Sequence, residues 1–403
     1  MSDLSDTIIS WLNDQALTDD DLSITLSGLA KRLLDGGIPV ARINVGRSLL
    51  HPTIVAINAE WNVDVPHVEV SSIPRKFVHS GLFDNTPFGD IVARRVHSIH
   101  ADLKDPAVLA QYPMYEKFKQ DGIIGYAAFG RHFGKDIGAQ KGIGFDFNGA
   151  AVSFSTRRFS GFSDADVDTL DRIIPALCVC SRVHNDTFLM QATLETYLGR
   201  HSAGQVLSGK IERGEGEIIE CAILYSDLKG SLGLSQTMDM NSYFDTVNAY
   251  FDCTARAVTE HGGEVLKFIG DGVLAIFPID NTTRPRANMC AAALSSAQEA
   301  FARAAHENIT RATNNLPPLE FGIALHVGEV LYGNVGTESR LDFTATGPAV
   351  GLAARVEAHT RSADTPLLAT EDFANACPTP AAPLKPANLP GFTQPVALAT
   401  YPI

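Results

Sequence analysis

The chain is 403 residues long, a length that favours two or more domains, each with its own core. Its 32 Lys and Arg against 46 Asp and Glu give a formal net charge of -14 without any basic tract, which argues against nucleic acid as a partner. No run reaches the ~18 consecutive apolar residues that span a bilayer, and the acidic start MSDLSDTIIS lacks a secretory pattern, so the expectation is a cytoplasmic protein with no membrane span.

Apolar residues recur at helical spacing at Leu4, Ile8, Trp11 and Leu12, and again at Leu22, Leu26, Leu29 and Leu33 behind the acidic run Asp19, Asp20 and Asp21. This spacing predicts two amphipathic helices. After Gly36 and Gly37, β-like runs at 40–45, 53–57, 67–70, 122–129 and 150–154 are punctuated by Gly and Asn, as in an antiparallel sheet with loops. The passage GAAVSFSTRRFSGFSDADVDTLDRIIPAL reads as a strand, a turn and a helix capped by Ser163 with acid in its first turn.

That closing pattern resembles the end of GAF-type sensory domains, and the resemblance implies a GAF- or PAS-like mixed α/β sensory domain over residues 1–163. No chromophore Cys or haem His stands at a telling position, so the ligand or protein signal it would receive stays open. From 164 to 204 the chain reads as a helical connector, with Val167, Leu170, Ile174 and Leu177 at a/d spacing until Pro175, Ser181 and His184 interrupt it. The Gly- and charge-rich run GRHSAGQVLSGKIERGEGEII places the next boundary at about residue 205.

Over 205–403 the order is strand IIECAILYS, helix MNSYFDTVNAYFDCTARAVTEH, hairpin EVLKFIGDGVLAIF, helix ANMCAAALSSAQEAFARAA, three strands, helix PAVGLAARVEAHT and a last strand near PLLAT. Strands alternating with helices predict an α+β sandwich with helices on one face of a largely antiparallel sheet. Cys178, Cys180, Cys221, Cys253, Cys290 and Cys377 are scattered without metal-ligand spacing and read as reduced, mostly buried thiols.

Taken singly, Asp271 in Gly270-Asp271-Gly272 is a hairpin-turn residue and Asp227 a strand-end aspartate. Taken together, SDLKG, KFIGDGVLAIF, GIALHVGEVLYGNVG and LDFTATGPAVGLAAR stand in the order found in the class III adenylate and guanylate cyclase family, which the chain resembles from about Glu217 to Thr370. The resemblance implies a ferredoxin-like catalytic domain that converts ATP to 3',5'-cyclic AMP. It also implies two divalent metal ions, Mg²⁺ or Mn²⁺, held by Asp227, Asp271 and the carbonyl of Leu228. Lys267 and Thr344 match the positions that select the base: an ammonium donates to adenine N1 and a threonine oxygen accepts from N6, whereas guanine presents the opposite polarity. Arg355 matches an arginine that contacts the phosphates in the transition state, and Gly230, Ser231 and Leu232 match a phosphate-cradling loop. A head-to-tail homodimer with composite sites is implied as well.

The sequence departs from the family in two places. Gly351 stands where an asparagine usually orients the ribose, and Gly230-Ser231-Leu232 replaces Gly-Phe-Thr. Losing one preorganised donor costs about 10²- to 10³-fold in rate, so slow catalysis fits better than none. Two alternatives stay open: a degenerate cyclase serving as a nucleotide-binding or dimerising regulatory module, and a cyclase for another nucleotide.

Overall fold

The computed structural model describes residues 3–18, 21–49, 51–77, 84–94, 96–134 and 148–403, and the chain divides into two units, Met1–Thr193 and Leu194–Ile403. The two predicted N-terminal helices form as α1 (Leu4–Gln15) and α2 (Leu22–Asp35). Asp21 caps α2 by accepting from the amides of Ser23 and Ile24, while Asp19 and Asp20 lie outside the described residues. Ile8, Leu12, Leu26, Leu29 and Leu33 are fully buried, so truncating one of them, Leu26→Ala for instance, costs about 2–5 kcal/mol.

Beyond them come β1 (Arg42–Ser48), β2 (Ile54–Asn62), β3 (Glu69–Pro74), α3 (Pro87–Arg94), β4 (Ser98–Asp102), α4 (Pro106–Leu109), α5 (Pro113–Gln120), β5 (Gly125–His132) and β6 (Gly149–Thr156). The strands pair antiparallel in the order β3-β2-β1-β6-β5-β4. Every residue of the central strand β6 is buried, because both of its faces are covered. Ala150, Val152 and Phe154 join the core with α1 and α2, and Ala151 joins a second core with Ile91, Leu109, Tyr115 and Phe118.

Helix α6 (Asp164–Leu198) begins with a capping box. The Asp166 amide donates to Ser163 Oγ at 3.3 Å and the Ser163 amide donates to Asp166 Oδ2 at 2.8 Å. The helix continues through Pro175, and the division between the two units falls inside it.

The second unit opens with α7 (Arg200–Leu207), β7 (Gly216–Leu228), α8 (Ser231–Thr237) and α9 (Met240–Glu260). It continues through β8 (Glu264–Ile269), β9 (Gly272–Ile279), α10 (Arg286–Thr313), β10 (Phe321–Thr337), β11 (Arg340–Thr346), α11 (Pro348–Ala363), β12 (Leu367–Thr370), α12 (Glu371–Ala376), β13 (Ala382–Pro383) and β14 (Leu398–Thr400). The sheet order is β13-β14-β12-β10-β7-β9-β8, with β11 paired to β10; only the β10–β12 pair is parallel. From β7 to β10 the chain follows a βαββαβ path.

Helices lie on both faces of this sheet, not on one as the strand and helix alternation suggested. Ala222 and Leu224 of β7 share a core with Tyr250 and Cys253 of α9 and with Ala293 and Ala297 of α10. Cys221 and Ile223, which point the other way, share a core with Ala349 and Ala353 of α11. The run CAIL is apolar on both faces because β7 is a central strand covered twice. Helix α7 is fastened to β8 by a buried cluster: the Ser202 amide and hydroxyl donate to Glu264 Oε1 at 2.8 and 2.7 Å, and the Tyr332 hydroxyl donates to Oε2 at 3.1 Å. All six cysteines are buried thiols.

Candidate active site

Asp227 is the penultimate residue of β7, register-paired with Gly272 of β9 on one side and Gly322 of β10 on the other. Its parity along the strand matches Cys221, Ile223 and Tyr225, so the carboxylate faces α11. Asp271 sits in the two-residue turn between β8 and β9, and its carbonyl accepts from the Leu228 amide at 3.3 Å. The left-handed residue of this turn is Gly270, at φ 63°, not Asp271, so glycine occupies the first central position. Asp271 therefore needs no unusual backbone, and the turn brings it beside the end of β7.

The electrostatics of the pair are those of two carboxylates competing for one space. Burial and the charge of Asp271 push the Asp227 pKa up, while Arg361 opposes both. Arg361, in the last turn of α11, donates from Nη2 to Asp227 Oδ2 at 2.8 Å. One turn earlier, Glu357 is 3% exposed, and its Oε1 has no hydrogen-bond partner. Burial first, then Asp227, pushes its pKa up to about 7. Neither Glu357 nor Arg361 was singled out from the sequence, although their four-residue spacing on a helix places them on one face.

A divalent cation fits this donor set. Two hard carboxylate oxygens at a strand end repel one another, and a cation between them relieves that repulsion. Among the described residues no group of three or more His, Cys, Asp or Glu side chains is gathered as a metal cage. Any further ligands to such a cation would be backbone, water or substrate oxygens, a coordination that hard divalent ions accept.

Lys267 and Thr344 belong to a second group. The register of β8 shifts between Val265 and Lys267, the mark of a bulge that re-aims a side chain. The Lys267 ammonium forms an ion pair with Asp342 of β11, and Thr344, two residues on, lies on the same face of that strand. Asp342 was not identified from the sequence. Thr344 pairs with Gly333, which pairs with Gly216 at the opposite end of β7 from Asp227.

The other expected residues lie apart. Gly230, at φ 72°, caps α8, and Ser231 and Leu232 open that helix, with Leu232 72% exposed. The Arg355 side chain is exposed on α11 and makes no hydrogen bond or ion pair among the described residues. Gly351 is also exposed on α11, with open space where a β-carbon would point.

Residues 215–367 match the family of adenylate and guanylate cyclase catalytic domains. An adenylate cyclase of Anabaena cylindrica is 33% identical over 172 residues, covering 42% of this chain and 33% of its own length. Adenylate cyclase 1 of Rhizobium meliloti is 27% identical over 161 residues, covering 39% of this chain and 23% of its own. The crystal structure of an adenylyl cyclase from P. aeruginosa superposes with a TM-score of 0.41 at 25% identity, covering 46% of this chain and 95% of that one. By the family match and the sequence relatives, the C-terminal unit is similar to cyclase catalytic domains, and the chain spans about a third of the length of the curated relatives it matches first. Among the described residues no helix is long and apolar enough to cross a membrane.

Proposed function

We propose that the C-terminal unit is an adenylate cyclase that converts ATP to 3',5'-cyclic AMP and pyrophosphate. The observation that carries this reading is the meeting of Asp227, at the end of β7, with Asp271 in the β8–β9 turn, inside the segment that matches the cyclase family. In the reaction the ribose 3'-oxygen bonds to the α-phosphorus as the bond to pyrophosphate breaks. Divalent ions bound between the two aspartates would supply charge stabilisation on the triphosphate.

In this reading the residues of the chain bind and orient. Asp227 and Asp271, with the Leu228 carbonyl, hold the ions. The amides at Gly230, Ser231 and Leu232 face the phosphates. Lys267, steadied by Asp342, donates to adenine N1, and Thr344 accepts from the N6 amino group. Arg355 neutralises charge on the phosphates.

A head-to-tail homodimer with composite sites accommodates the separation of Thr344 from Asp227 and the unpaired state of Arg355 within one chain. Exposed Phe244, Phe268, Ile269 and Leu232 favour such pairing. The βαββαβ path and its strand order support a ferredoxin-like fold. The six-stranded antiparallel sheet with helices over it supports a GAF-like sensory role for the N-terminal unit, with α6 as the connector toward the catalytic domain.

Gly351 favours a second reading, a nucleotide-binding regulatory module with little turnover, because no side chain is present there to orient the ribose. Product analysis after incubation with ATP and Mn²⁺ separates the two. Cyclic AMP that disappears in Asp227→Ala and Asp271→Ala supports the cyclase; nucleotide binding with no product supports the module.

A further inference from the structure

We propose that Arg361 stands in for a divalent cation on Asp227 and competes with one for the same carboxylate. This rests on Asp227 and Asp271 being metal ligands, as proposed above. The Asp227 Oδ2 atom already accepts from Arg361 Nη2 at 2.8 Å, so one oxygen of the pair carries a resident positive charge.

The backbone beneath is built for this contact. Gly322 lies directly across from Asp227 in the β7–β10 pair, and a β-carbon there would fall 2.4 Å from Thr360 Oγ1 and 2.5 Å from Glu357 Oε1. A side chain there would have to displace the Thr360 hydroxyl and the Glu357 carboxylate, so glycine leaves the last turns of α11 free to settle onto β10 at this register, and Arg361 follows Thr360 directly. The absence of a side chain at Gly322 thus delivers the guanidinium to the next strand.

The charges around the contact favour a removable cation. Asp227, Asp271 and Glu357 are three acids at one sheet end, and Lys229 and Arg361 are the cations that act on them. Of these two cations, only Arg361 hydrogen-bonds Asp227. Its side chain is 54% exposed, so it can leave for solvent without disturbing packed residues. The end of α11 also offers it carbonyl groups, where positive charge is favoured. Arg361 thereby quiets the repulsion between the aspartates when no ion is present and sets the concentration at which an ion displaces it.

Calorimetric titration of the full chain with Mn²⁺ alone, without nucleotide and at low ionic strength, tests this in the parent and in Arg361→Gln, Arg361→Lys and Asp227→Asn. Arg361→Gln should bind Mn²⁺ about three- to tenfold more tightly, Arg361→Lys close to the parent, and the difference should shrink at high salt. Unchanged or weaker binding by Arg361→Gln overturns the proposal, as does a lack of Mn²⁺ binding in parent and variant alike. Asp227→Asn separates the two layers. Loss of binding there without tightening in Arg361→Gln removes only the role of Arg361, whereas unaltered binding in Asp227→Asn removes the metal reading itself.

Discussion

Gly272 faces Asp227 across the β7–β9 pair, and a β-carbon on it would lie 3.2 Å from Asp227 Oδ1 and 3.1 Å from the Ser226 carbonyl oxygen. The glycine is what leaves room for the carboxylate beside the turn. In the proposed cyclase, Gly272→Ala should shift that carboxylate by a few tenths of an ångström and lower cyclic AMP formation about three- to tenfold. Kinetics with ATP and Mn²⁺, run beside a thermal melt, would show activity falling more than stability.

In the proposed reading each of Asp227→Asn and Asp271→Asn removes a charged metal ligand, so each should reduce turnover by more than about a hundredfold. Turnover within a few-fold of the parent in both would refute the assignment of the metal ligands.

Base selection should reside in the Lys267, Asp342 and Thr344 group. Thr344 is 8% exposed on the same strand face as Asp342, so Thr344→Val preserves its volume while removing the acceptor. The expected result is a loss of about 10- to 100-fold in kcat/KM for ATP with a smaller change for GTP, read from a competition assay. Equal losses for both nucleotides would place Thr344 outside base recognition.

The substitution Gly351→Asn tests the departure at that position. The β-carbon enters open space on an exposed helical turn, and asparagine is a better helix former than glycine, so the variant should fold at least as well. A gain in kcat of about tenfold or more is expected if the missing ribose contact limits the parent. No gain in a well-folded variant would mean that another step limits the rate.

How far these elements were legible differs from residue to residue. Asp227 and Asp271 stood out because four motifs in order surround them, although each alone is an ordinary strand-end or turn residue. The apolar run CAIL already contained the evidence that β7 is covered on both faces, but a run without alternation does not say which helix covers which face. Asp342 shares a strand face with Thr344 and meets Lys267 only because β11, folded back along β10, comes into contact with β8, a strand distant in sequence. The Arg361 contact depends on Gly322 letting α11 close in, which becomes visible only once the register of β10 against β7 is known.

Glu357 makes a prediction about pH. Its folded-state pKa is raised to about 7 from an ordinary 4.5, so the folded chain binds the proton more tightly than the unfolded one. The resulting stability is fully present below the unfolded value and is lost as pH rises from about 4.5 through about 7, by at most about 3 kcal/mol. Urea unfolding of the metal-free chain across this range should show the decline, and Glu357→Gln should flatten it. An identical slope in parent and variant would assign the proton to another group.

The six buried thiols are divided between the units, Cys178 and Cys180 in the first and Cys221, Cys253, Cys290 and Cys377 in the second. Burial also pushes the thiols of Cys178, Cys221 and Cys290 up to about 12, and thiolate is the reactive form. Each half of the chain therefore carries its own chemical stopwatch. In brief alkylation during heating or denaturant exposure, the cysteine peptides that gain a label record which half opened first, with no probe added to the protein.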